Sequence, residues 1–156
     1  MQLVKIGDRV DASVGNNIIQ LIIGIFQQAN CVTENGLIAF QGFCVGVPGL
    51  GQEIKIDEIA CFVKYALQSE EQDCVKIACG IVSDMSSSMQ GGLDQYLGDF
   101  VPCLQNILRN ESIHRSIKLP AFHALGDLSL NSGDNFNKVY LHDTLTVLDM
   151  AAQMTS

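Results

Sequence analysis

The residues able to do chemistry are few, and their spacing assembles no reaction centre. Six cysteines stand at positions 31, 44, 61, 74, 79 and 103, and three histidines at 114, 123 and 142. None of the cysteines forms a Cys-x-x-Cys pair, and no Cys/His group has the short spacings by which zinc is held. Several fall at or beside apolar helical positions, as Cys61 does next to Phe62 and Val63. They read as small buried hydrophobes rather than as disulfides or metal ligands. Ser86-Ser87-Ser88 supplies hydroxyls and raises, with His123, the thought of a nucleophile, but an activated serine needs both a base and a third group that orients it. No such constellation is discernible. The sequence calls for no catalytic residue, metal or cofactor, and chemistry gives way to shape.

The elements that carry these residues repeat. Ile56, Ile59, Val63 and Leu67 recur 41 positions later as Leu97, Phe100, Leu104 and Leu108. Tyr96-Leu97, Val101 and Leu104 recur 44 positions later as Tyr140-Leu141, Leu145 and Leu148. The preceding helices match as well: Ile81-Val82-Ser83-Asp84 parallels Ala124-Leu125-Gly126-Asp127. This period is that of two-helix HEAT or armadillo units, which bury their apolar faces only by stacking on neighbours. The fold class is therefore all-α: a HEAT-repeat solenoid of about three and a half units over residues 1–156. The first helix enters without a partner and neither end is a polar cap, so the chain reads as one segment of a longer protein.

The pass along the chain predicts helices over about 16–29, from Thr33 as N-cap to about 47, and over 53–68. Pro48-Gly49-Leu50-Gly51 breaks the second. Ser69-Glu70-Glu71-Gln72 reads as a capping box for the next helix, which the Ser86 to Gly92 stretch ends. Its partner spans about 93–109 and contains Pro102, which lacks the N–H that would bond Gly98 and should kink it. The last pair covers about 113–131 and 136–154, separated at Gly133. Asp84 and Asp127, near the ends of equivalent helices, are expected to bond the following turn or helix N-terminus.

Charge narrows the function. The chain holds 17 Asp+Glu against nine Lys+Arg, a net charge of −8, so the basic stripe of a nucleic-acid binder is absent. Its longest apolar run, Ile18 to Phe26, falls short of the roughly 20 residues that span a bilayer. The N-terminus, Met-Gln-Leu-Val-Lys, has no signal-peptide pattern. Cytosol or nucleus is the expected compartment.

One run is specific beyond the repeat. Asn110-Glu111-Ser112-Ile113-His114-Arg115-Ser116-Ile117-Lys118, then Leu125-Gly126-Asp127, Gly133, Phe136 and Tyr140-Leu141, closely resembles the importin-β (karyopherin-β) nuclear import receptors, in a repeat beyond the middle of the receptor. Val75 to Asp84 resembles the first helix of the preceding repeat, and Asn17 to Gln27 the second helix of an earlier one. The chain departs from the family pattern where Leu119 intervenes between Lys118 and Pro120, and in having no tryptophan.

That resemblance implies a non-enzymatic receptor that carries cargo through nuclear pores, binds phenylalanine-glycine (FG) nucleoporin repeats and importin-α or other basic cargo, and releases cargo to GTP-bound Ran. It implies a location in cytoplasm, nucleus and nuclear pore. An FG peptide would need a shallow apolar slot between outer helices, for which Phe40, Phe43, Ile77, Ile81 and Phe122 are the candidate walls. Each also fits the ordinary core of a helical stack. On the inner helices Glu53, Asp57, Glu58, Asp94, Asp99, Asp143 and Asp149 would present an acidic lane to a basic partner, or would simply be solvated helix-face charge. Arg115 would bind an acidic partner or bridge neighbouring repeats. Without the resemblance, another HEAT scaffold, such as a phosphatase regulatory or vesicle-coat subunit, fits the same pattern, and a small helical enzyme fits it poorly.

Overall fold

A computed structural model describes residues 12–29, 32–46, 56–89 and 91–153, and every regular element among them is helical. The helices are α1 (Ala12–Ala29), α2 (Glu34–Gly46), α3 (Ile56–Leu67), α4 (Gln72–Met89), α5 (Leu97–Arg109), α6 (Arg115–Ser132) and α7 (Asp134–Gln153), with a 3-10 turn at Asp94–Tyr96. In α1 the buried Ile19, Ile23 and Phe26 recur at helical spacing. Thr33 Oγ1 accepts from the Gly36 N–H at 3.3 Å and caps α2 as its sequence predicts. Gly36 is also a site of close approach: a Cβ there would run into the tip of the Phe26 ring, so a side chain at this position would force the ring or α2 to shift. Gly133 is the one residue between α6 and α7, and its φ of 49° and ψ of −117° reverse the chain in a conformation that side chains resist.

These helices form two layers. Helices α2, α4 and α6 pack side by side in one, while α1, α3, α5 and α7 follow one another in the second. The core lies between the layers and is continuous along the stack. Phe62 joins the first three helices, its ring 4.6 Å from that of Phe26 and 5.3 Å from that of Phe40. Burying one such ring is worth about 1.5–3 kcal/mol. The first two copies of the repeat share this core, with Ile59, Val63, Leu67, Phe100, Leu104 and Leu108 all buried, whereas in the third copy Leu141 and Leu145 are exposed and Tyr140 and Leu148 only partly buried, because α7 has no following helix among the described residues to cover that face. The solenoid is thus the direct consequence of the apolar period.

Local structure departs from the sequence reading in four places. Helix α1 is already helical at Ala12, ahead of the expected start near Asn16, while the residues before Ile56 and the Pro48–Gly51 break lie outside the described residues. The capping box does not form: α4 starts at Gln72, and Ser69 Oγ accepts from Glu71 N–H at 3.1 Å, two residues on. Gln72 Oε1 instead accepts from the His114 backbone N–H at 3.2 Å. The serine run remains helical, because Ser86 is buried and donates to the Asp127 carbonyl at 3.0 Å, and Ser88 Oγ bonds the Asp84 carbonyl at 2.8 Å. Residues 94–96 form a 3-10 turn before α5, which then runs through Pro102 with that ring exposed.

Candidate protein-binding surfaces

Polar side chains link each repeat to the next. Gln41 Nε2 donates to Asp84 Oδ2 at 2.8 Å, joining α2 to α4. Ser83 Oγ donates to the Asp127 carboxylate, joining α4 to α6. Asn131 Nδ2 adds a bond to Ser86 Oγ at 3.1 Å. Asp84 and Asp127 therefore reach back to the preceding repeat, where the sequence pointed them to the following turn. The reason is the close packing of α2, α4 and α6, which presents a donor one repeat earlier.

The second layer is joined in the same way. Tyr96 Oη donates to Asp57 at 2.5 Å, Lys64 Nζ pairs with Asp99 at 2.6 Å, and Asn135 Nδ2 donates to Asp94 Oδ2 at 2.6 Å. Gln105 and Thr144 form a fully buried pair at 3.0 Å. Burial and the Asp57 hydrogen bond push the Tyr96 phenol up to about 12, and Asp99 raises the Lys64 ammonium above its ordinary 10.5. The acidic lane is thus partly committed to repeat stacking. Asp149 accepts from Gln153 within α7 at 3.0 Å, Asp143 is exposed, Glu58 is half-buried, and Glu53 lies outside the described residues.

The proposed slot walls separate by burial. Phe40 and Ile81 have no exposed surface and belong to the core. Ile77 and Phe122 are half-buried and pack against that core with part of each side chain reaching solvent. Phe43 lies in α2, and its side chain is outside the described set.

At the head of α6, His114 is the N-cap: its Nδ1 accepts from the Ser116 N–H at 3.3 Å and faces Ser116 Oγ at 2.8 Å. Lys118 Nζ donates to the Leu108 carbonyl at the end of α5, at 3.0 Å. Bridging in the His-Arg-Ser run is therefore the work of His114 and Lys118, while Arg115 is exposed. His123 makes no hydrogen bond to the serine run, whose buried member is held by Asp127 and Asn131. Cys74, Cys79 and Cys103 are buried, and burial drives the Cys79 thiol up to about 12. Cys61 is exposed, against expectation, because it lies on the solvent side of α3 while its neighbours Phe62 and Val63 face inward. Cys31 and the Cys44 side chain lie outside the described residues. Among the described residues no group of His, Cys, Asp or Glu has metal-binding geometry, and no helix is long and apolar enough to cross a membrane.

Sequence reasoning missed a groove of about 380 Å³ between α1 and α3. Ile23, Phe26 and Phe62 line it with their few exposed atoms, and Asp57, Glu58, Cys61 and Tyr65 add the more open part of the lining. The signal was present in Cys61 and Tyr65, four residues apart on one stripe, but only the crossing of α1 places a facing wall.

Stacked helical pairs, joined by side-chain bonds between α2 and α4, α4 and α6, α3 and α5, and α5 and α7, define a helical-repeat scaffold. Comparison with known proteins makes the class specific. The family described as importin subunit beta-1-like, TPR repeats, matches residues 3–156, and the chain belongs to that family. Importin subunit beta-1 of Arabidopsis thaliana is 27% identical over 96 residues, covering 61% of this chain and 11% of the relative. The chain thus spans only a small part of that relative's length. Although the family description speaks of TPR repeats, the spacing here of 41 to 44 residues is of HEAT length, longer than the about 34 of a TPR unit.

Proposed function

We propose that this chain is a protein-binding segment of a nuclear import receptor. The observation that carries the reading is the family match across residues 3–156 on a stack of helical pairs. In this reading the receptor moves between cytoplasm and nucleus through the pore and acts by binding alone. FG nucleoporin repeats rest on the outer layer of α2, α4 and α6, where Ile77 and Phe122 supply partly exposed apolar surface and Phe40 and Ile81 support it from the core. Basic cargo or importin-α meets the layer of α1, α3, α5 and α7, steered by net charge −8 and by Glu58, Asp143 and Asp149. GTP-bound Ran displaces the cargo. The test is a titration of the full-length receptor with importin-α, with FG peptides and with GTP-loaded Ran. Saturable binding of each, with Ran releasing importin-α, is expected; binding of none contradicts the proposal.

A further inference from the structure

We propose that a second copy of this chain is the partner of its two end helices: the bare apolar face of α1 in one copy seats on the bare apolar face of α7 in another, so that copies join head to tail. The repeat locates both faces. Leu21 and Ile25 of α1 stand 41 positions before Phe62 and Ala66 of α3, as Ile22 and Phe26 stand 41 before Val63 and Leu67. In α3 those positions turn back on the preceding helices: the Phe62 ring lies 4.6 Å from that of Phe26 and 5.3 Å from that of Phe40, and Ala66 is buried. Their counterparts in α7, Val147 and Ala151, are buried as well, α7 lying on α5. Among the described helices of this layer only α1 leaves the face open, with Leu21 66% and Ile25 58% exposed.

The opposite face is open at the other end. Leu97 and Val101 of α5 are buried, and α5 packs on the two helices that follow it, α6 and α7. Their counterparts 44 positions on, Leu141 and Leu145 of α7, are 37% and 55% exposed. Ile19, the α1 counterpart of Val101, is fully buried, so α1 is bare on its preceding face and α7 on its following face. These are the two halves of the contact by which α1 meets α3, α3 meets α5 and α5 meets α7 inside the chain. Charge does not oppose the joint. Helix α1 carries no ionisable side chain from Ala12 to Ala29, so the acids of α7 meet no like charge there. A helix apolar on two sides is one that is covered on both. The joint supplies α1 in the place of α7 but no described helix in the place of α6, so it is smaller than an internal interface and opens on dilution. Because the two faces differ, the contact is heterologous and does not stop at a dimer.

The experiment is sedimentation equilibrium on the chain, on a variant carrying Leu21→Glu with Ile25→Glu, and on a Leu145→Glu variant, with circular dichroism as the check of fold. The wild type should gain mass with concentration beyond that of a dimer. Each variant alone should stay monomeric, because one half of the contact is lost. Mixed in equal amounts, the two should form a dimer and nothing larger, since one intact face of each kind remains. Serine at the same positions repeats the comparison without added charge and decides the matter if a glutamate variant loses its circular dichroism. Three results overturn the proposal: a wild type that is monomeric at every concentration, which would leave both faces to some other helical segment; a variant that associates as the wild type does; or a mixture that stays monomeric. Failure of the Ran and FG titrations would leave the joint untouched, so the two readings fall separately.

Discussion

Gln41 in α2 donates a 2.8 Å hydrogen bond to Asp84 in α4, and one repeat later Ser83 donates to Asp127. The two acids occupy equivalent positions, so a single device recurs at successive interfaces. It gives the stack a register that apolar packing alone does not specify, because a polar pair is satisfied at one alignment of the helices only.

The first expected consequence concerns stability. Asp127→Ala removes the acceptor for Ser83 in a half-buried interface and should cost about 1–3 kcal/mol in urea unfolding. Asp127→Asn retains an acceptor oxygen and should recover most of the loss. Equal loss in both variants would mean that the carboxylate charge, rather than the bond, is what matters.

The buried Gln105–Thr144 pair should behave as a coupled unit. Each single substitution, Gln105→Leu or Thr144→Val, strands a polar partner and should cost about 1–3 kcal/mol, while the double variant should cost less than the sum. A double-mutant cycle by chemical denaturation measures this. Strict additivity would show that the two side chains do not interact.

Alkaline pH should expose Tyr96. Its folded value, about 12, lies above the ordinary 10.0. The neutral phenol is therefore favoured by folding: its contribution is fully present below pH 10.0 and is lost as pH rises toward 12. The ultraviolet difference titration of wild type against Tyr96→Phe should show a phenolate midpoint near 12. A midpoint at the ordinary tyrosine value in the folded protein would contradict the Asp57 contact.

Thiol reactivity should divide along the solvent side of α3. Cys61 should react readily with iodoacetamide in the folded chain, while Cys79, buried and held near 12, should react only after unfolding. Peptide mapping with and without urea separates the two. Alkylation of Cys79 in the native chain would mean that α4 opens under native conditions.

Much of this architecture was legible because it is apolar and periodic. Ile59, Val63, Phe100 and Leu104 declare their helices and their burial by spacing alone, and Gly133 declares the last turn. The polar register was not legible. Gln105 and Thr144 look like solvent-facing residues until two helices place them together, and Ser86 looks like a helix stop until α6 supplies partners for its hydroxyl. The site divides in the same way. Phe40 and Ile81 are apolar on a helix, which sequence cannot separate from a binding slot, and only packing assigns them to the core. The α1–α3 groove depends on how two helices cross, which no local spacing encodes.

The central claim, that this chain binds partners through its helical layers, is tested most directly by calorimetric titration with an FG-repeat peptide, comparing the wild type with Phe122→Ser. Phe122 is half-buried on α6, so its loss should remove apolar contact while the helical circular dichroism stays the same. Saturable binding by the wild type that weakens about tenfold in the variant is the expected result. Absence of binding by the wild type, or weakened binding that comes with unfolding of the variant, would contradict it.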